Sequence, residues 1–294
     1  MKQLRPAFSV IAAGILWGII NIFVKTLSAA GIDPLQISAI RMMVAAICFS
    51  LFVLIYDRSK FRIRMRDIWL FICTGIVSIV LFNTCYFYTM IRSQASIAVV
   101  LLYTSPVFVM ILSAICFKEK VTMQKIIALI LTIFGCVLVA GLTGGASISF
   151  PVFLTGIASG FFYALYSIFG ELALRKYDTM TVTVWTFLMG LIGSLPLGKV
   201  GQTIQVLKSQ PGLIFYAVGI GIISTVLPYF LYTWGLKRME TSKASILVAV
   251  EPLVGCVIGM TVYHEPHNFL KILGILLILA SILILNIQWG TRKT

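Results

Sequence analysis

Acidic residues are scarce in this chain: nine aspartates and glutamates stand against 23 lysines and arginines, with only two histidines. Those two, His264 and His267, lie in the run HEPH, which is not the H-E-x-x-H zinc pattern. Pro266 would interrupt the helix that such ligands need, so no metal or other cofactor is expected. An intramembrane enzyme, such as a lipid-modifying transferase, would need a nucleophile and a base together, and the only histidines sit near loops. A G-x-x-x-x-G-K-[ST] loop is also missing, together with any domain to carry one, which excludes self-contained ATP-driven pumping. The six cysteines form no C-x-x-C pair and read as small apolar fillers. Long polar segments are absent too: the longest loops, around Asp57 to Arg66 and Lys199 to Gln210, run to only about ten residues and leave no room for a soluble domain.

What is present is apolar. With 60% hydrophobic residues and a mean hydropathy of +1.05, the chain carries more apolar surface than a soluble core of its size could bury. A bilayer core of about 30 Å takes about 20 helical residues per crossing, with every backbone amide bonded inside its own helix. The apolar runs are continuous rather than alternating, which excludes a barrel. Ten crossings are expected, near residues 7–28, 34–56, 67–90, 94–117, 123–143, 150–172, 179–198, 211–235, 242–263 and 268–289. From Ile126 to Gly170 there is no charge in 45 positions, too long for one span; Gly141 to Ser147, followed by Pro151, divides it in two.

The formal charge of +14 is topological rather than a nucleic-acid footprint. If the chain starts in the cytoplasm, 17 of the 23 basic residues fall on that side, which predicts both termini inside. The basic start before an apolar run is read as a first span, not a cleaved signal, because Phe153 to Leu174 is its counterpart deep in the chain.

That counterpart belongs to a longer echo. Ser96 to Lys125 reappears 146 positions later as Ser242 to Lys271, so that Pro106 falls on Pro252, Glu119 on Glu265 and Gly14 on Gly160. The fold class expected is therefore an all-α polytopic membrane protein of ten transmembrane helices, in two repeats, 1–145 and 146–294. Five spans per repeat is an odd number, so the second repeat enters from the opposite face and the two are inverted, the arrangement that permits alternating access. The run Trp17 to Asn21, Arg41, Ser105-Pro106 followed by Glu119, and Glu251-Pro252 followed by Glu265 resemble the paired EamA repeats of the drug/metabolite transporter superfamily. The resemblance covers almost the whole chain, with modest departures: Tyr163 stands where Trp17 does, and Ala164 where Gly18 does. It implies a ten-helix carrier whose spans 1, 3, 4, 6, 8 and 9 surround a cavity, and relatives that export amino acids and other metabolites or move sugars and nucleotide sugars.

Glu251 is the sharpest candidate. It lies about nine residues into its span, roughly 14 Å deep at ~1.5 Å per residue, where a charge must face water, a partner or a proton. Pro252 removes a backbone donor beside it, and Pro106 does the same in the fourth span next to Ser105, with Tyr103 just before; both prolines are expected helix breaks. Trp17, Asn21 and Lys25 share one face of the first span and map onto Tyr163, Ser167 and Glu171. Tyr166 adds a hydroxyl nearby, and Asn83, Tyr86 and Tyr88 form a polar-aromatic patch matched by Tyr229 and Tyr232, where Pro228 adds another expected kink. Inversion keeps Lys25 away from Glu171, and each is expected to snorkel toward its own surface. Arg41, about two turns into the second span, could bind a carboxylate, but outward snorkelling or a structural carbonyl contact is the preferred reading. Glu119 and Glu265 are expected to face the N-terminus of the next helix. The pairs Gly14/Gly18, Gly156/Gly160 and Gly255/Gly259 allow close helix approach, inside a monomer first; monomer and homodimer stay open.

The expected partners are the lipid bilayer and a small organic solute, with protons as the candidate coupling ion and no nucleic acid. The expected place is a bacterial plasma (inner) membrane, and amino-acid or drug-like solute export is the preferred version of the function.

Overall fold

The computed structural model describes residues 4–93, 95–140, 149–264 and 269–286. Among the described residues every regular element is helical. In chain order the apolar helices are α1 (Arg5–Ala29), α2 (Pro34–Tyr56), α3 (Met65–Arg92), α4 (Ile97–Phe117), α5 (Met123–Val139), α6 (Phe150–Leu174), α7 (Thr179–Ser194), α8 (Leu213–Leu236), α9 (Thr241–Val262) and α10 (Phe269–Leu285). Among the described residues seven of them are long and apolar enough to cross a membrane; α5 and α7 are shorter than the expected spans. Seventeen and sixteen residues carry α5 and α7 only about 25 Å. The expected divider at Gly141 to Ser147 lies outside the described residues. The stretch expected as a loop from Lys199 to Gln210 is instead a helix, Val200–Ser209, whose Val200, Ile204 and Leu207 recur at helical spacing.

Packing follows the sequence echo. Helix α1 packs on α8 and α9, and α6, five helices later, packs on α3 and α4; α2 meets α7 and α5 meets α10. The loops 57–66, 118–122, 175–178 and 237–240 gather at one end of the bundle, called here the basic face. There Lys60 pairs with Asp178 at 2.8 Å, Lys176 with Asp67, and Lys237 donates to the Tyr177 carbonyl. At the opposite face Lys199 pairs with Asp33 at 3.2 Å.

Both expected proline breaks exist, a few residues before each proline. The fourth helix is interrupted at Tyr103–Thr104 and the ninth at Val248–Ala249, and each resumes with proline in its first turn. Proline lacks the N–H that would bond the carbonyl four residues back, that of Leu102 in the fourth helix and of Val248 in the ninth, where the Glu251 amide donates to Val248 instead at 3.0 Å. Glycines cover both. A Cβ on Gly14 would stand 2.8 Å from the Val248 oxygen and 2.5 Å from Val250 Cγ1; one on Gly160 would stand 2.9 Å from the Leu101 oxygen and 3.1 Å from that of Leu102. The G-x-x-x-G pairs of α1 and α6 thus serve packing between helices of this chain. Gly14→Ala and Gly160→Ala are each expected to cost about 1–3 kcal/mol by overpacking. Gly201→Ala, with nothing within 4 Å of its added carbon, should be near neutral. Thermal unfolding in detergent micelles checks the contrast.

Candidate functional site

Between the helices lies a cavity of about 400 Å³, within the size range of small-molecule sites. Its floor, roughly halfway along the bundle, is Trp17, Tyr163, Tyr229 and Glu251, and Arg41 stands on its wall. It widens toward the opposite face, past Asn21 and Val24 of α1, Met90 of α3, Val99 of α4 and Gly259 of α9, to a mouth at Lys25, Tyr263 and Lys271. The Lys25 ammonium sits 3.5 Å from the centre of the Tyr263 ring. Exposure changes along α9 accordingly: of residues 241–250 all but Lys243 are buried, whereas from Glu251 onward most are partly open.

Polar groups converge on Glu251. Its electrostatic neighbours are Arg41, Tyr86, Tyr103, Tyr163 and Tyr229, drawn from five helices, and the Tyr103 hydroxyl lies in interaction range of the carboxylate. One carboxylate, one guanidinium and four phenols on otherwise apolar and aromatic walls can hold a small amphipathic solute: ring faces take its apolar part, and the opposed charges fix its orientation.

Below this floor the path toward the basic face is shut. The Trp17 ring meets Tyr229 edge-on at 5.0 Å, and Tyr229 meets Tyr166 at 5.2 Å and Phe187 at 5.0 Å. Hydroxyl pairs lock the layer: Tyr166 with Thr233 at 2.8 Å, and Ser167 with Tyr232 at 2.7 Å. The gap left between these groups, about 10 Å³, has room for about one water.

Further down, Glu119 closes the two halves of the chain against each other. The left-handed conformation of Lys118 (φ 57°) ends α4 and turns Glu119 toward α9. There the carboxylate accepts from the Thr241 amide (2.7 Å), the Ser242 amide (3.1 Å) and the Ser242 hydroxyl. Buried Lys125 pairs with Glu119 at 3.6 Å and Glu240 at 3.4 Å, and donates to the Lys120 carbonyl. Glu119 was expected at the start of the next helix, α5; it caps α9 instead, the start of α5 being capped by Thr122, whose hydroxyl accepts from the Lys125 amide at 3.3 Å. Its counterpart Glu265 lies outside the described residues, as does His267.

Of the residues singled out from sequence, Glu251, Trp17, Asn21, Asn83, Tyr86, Tyr103, Tyr163, Tyr229 and Pro252 line the large cavity. Ser105 and Pro106 do not; both are buried. Ser105 opens the helix that resumes beyond the Tyr103–Thr104 interruption, packed away from the cavity that Tyr103 lines. Tyr166, one turn below Tyr163, belongs to the sealing layer. Glu171 pairs with Arg175 at 3.3 Å, apart from Lys25. Arg41 departs from its preferred reading: it is buried on the cavity wall, with Nε donating to the Thr225 hydroxyl at 3.0 Å and no bond to a carbonyl among the described residues. Helix α2 is therefore not merely peripheral.

Sequence reasoning missed two π-helical turns, Cys73–Val80 in α3 and Ile222–Val226 in α8, again about one repeat apart. In each a hydroxyl reaches back five residues, Ser78 to the Cys73 carbonyl and Thr225 to the Ile220 carbonyl. Such turns often mark functional sites, and no residue type announces them.

The comparisons agree with this architecture. A crystal structure described only as that of a protein superposes with a TM-score of 0.79 over 96% of each chain, at 16% identity, which establishes likeness of fold. Over 280 residues the chain is 26% identical to an uncharacterized transporter of Archaeoglobus fulgidus, covering 94% of both. It is 25% identical to the uncharacterized inner membrane transporter YicL of Salmonella typhimurium, covering 98% of this chain and 97% of that one. With the uncharacterized transporter YoaV of Bacillus subtilis it shares 23%, covering 99% and 100%. The pattern of the EamA-like transporter family matches twice, at residues 4–141 and 150–287. The chain belongs to the EamA-like transporter family and is a multi-pass membrane transporter built from two EamA repeats.

Proposed function

We propose that this transporter is a secondary carrier of small organic metabolites that works by alternating access, with amino-acid or drug-like metabolite export as the preferred version. The observation that carries the reading is the asymmetry of the path: a cavity of about 400 Å³ opens to one face, while an aromatic layer and the Glu119 contact shut the other. Ten helices in two inverted repeats are the arrangement that could exchange these states, since every main contact of one half recurs five helices later in the other. The basic face is the cytoplasmic one in this reading, with both termini there, in a bacterial inner membrane, so the cavity stands open outward. Glu251 is the coupling carboxylate, titrating as the cavity changes sides.

Counterflow in proteoliposomes tests it. Vesicles loaded with amino acids, sugars, nucleotide sugars or amphipathic drugs are diluted into a labelled trace of the same solute. Transient accumulation of an amino acid or drug is expected; accumulation of sugars alone moves the reading to a sugar carrier, and flux of none at any gradient sinks it.

A further inference from the structure

Arg41 is a buried cation on the cavity wall, and its surroundings leave most of its bonding capacity unused. Nε is held by the Thr225 hydroxyl at 3.0 Å, and Thr225 is itself fixed by its 3.0 Å bond to the Ile220 carbonyl within the π turn of α8. The two terminal nitrogens make no hydrogen bond or ion pair among the described residues, yet neither is sealed away from the cavity. Glu251 is close enough to be felt electrostatically but forms no ion pair with the guanidinium. With Nε fixed and its planar fork turned to an open cavity, the guanidinium is presented to an incoming anion.

Resting on the carrier reading, we infer that Arg41 is a specificity-determining residue that binds a carboxylate of the transported solute through its terminal nitrogens, with Thr225 as the positioning residue that holds the fork. Two parallel N–H to oxygen bonds match the spacing of a carboxylate, a geometry that lysine cannot copy. The remainder of the solute lies against the Trp17, Tyr86 and Tyr163 rings, and a donor group on it faces Glu251. The class is a small organic acid or amino acid; the corresponding amide, ester or decarboxylated amine leaves the fork unpaired and is rejected.

The test compares matched pairs on the intact protein: L-leucine, L-phenylalanine and L-aspartate against leucinamide, phenylalaninamide, isoamylamine and glucose, by ligand-induced shift of thermal unfolding and by counterflow. Acids are expected to shift unfolding at concentrations about tenfold or more below their amides. Arg41→Gln and Arg41→Lys should erase the difference between acid and amide. Thr225→Val should weaken acid binding by about tenfold while the preference for acids over amides survives. If the arginine variants do not fold, the acid–amide pairs on the wild type and Thr225→Val still decide. Amides or glucose bound and carried as well as acids overturn the role of Arg41 and leave the carrier standing. A protein that carries none of the panel overturns both.

Discussion

Glu251→Gln abolishes pH-driven accumulation of solute in proteoliposomes while solute-for-solute counterflow persists. Glutamine keeps the volume of the side chain and its capacity to accept a bond from Tyr103, so the cavity floor retains its shape; what it loses is the ability to carry a proton. Position makes the titration useful. Glu251 lies on the floor, where α9 resumes after its break, directly after the last fully buried stretch of that helix. A conformational exchange that opened the basic face would change which compartment that carboxylate sees. Arg41 and the phenols of Tyr86, Tyr103 and Tyr163 lie within its field, so a cationic or neutral solute group and a proton compete for the same charge. Imposed pH gradients with an internal pH dye and labelled solute measure the outcome; a glutamine variant that still concentrates solute when the pH gradient is applied removes Glu251 from coupling.

Glu119→Ala is the largest expected loss of stability, about 3–5 kcal/mol, because it strips one partner from a buried pair and orphans several donors at once. Lys125 is 2% exposed and would keep only Glu240 and the Lys120 carbonyl, while the first two amides of α9 would lose their cap. Glu119→Gln restores part of the cap without the charge and should fall between. Burial pushes the Glu119 carboxyl up, but the hydrogen bonds from Ser242 and Thr241, with Lys125 beside them, outweigh it and hold the group below the usual carboxylate value of 4.5. A depressed folded pKa stabilises above the unfolded value and loses that contribution as pH falls through the folded one. Unfolding temperature in detergent should therefore drop below about pH 4.5 in the wild type, and less so in Glu119→Gln. Equal acid sensitivity in both would separate this contact from the pH dependence. Because the contact joins the halves only at the basic face, the alanine variant should also loosen closure there, raising leak of solute counterflow relative to coupled transport.

Legibility varied with the kind of information. Helical crossings and the repeat were readable because apolar runs of about 20 residues and a constant offset are properties of the chain in one dimension. Glu251, Pro106 and Pro252 were readable for a similar reason: a carboxylate or an imino acid in lipid is costly whatever its surroundings. The azimuth of a helix was not. In a soluble protein the polar face points outward and fixes rotation, but in lipid both faces of α4 are apolar, so Tyr103 and Ser105 looked equally placed and only one lines the cavity. Arg41 was misjudged on the same ground, since its depth in α2 was visible and its direction was not. The Val200–Ser209 helix was missed because a short polar-apolar mixture between spans reads as loop until it has a surface to rest on.

By itself the sequence determined that this chain lives in a membrane as helices, that its two halves are copies, and that a carboxylate with an adjacent break sits deep in the ninth helix, because these follow from hydropathy, periodicity and the cost of burying charge. Only the tertiary structure decided that Glu119 caps a helix in the other half, that Thr225 holds Arg41 over an open cavity, and that one end of that cavity is shut. Each of those depends on contacts between residues more than 100 positions apart and on helix rotation, which backbone packing sets and local composition does not encode.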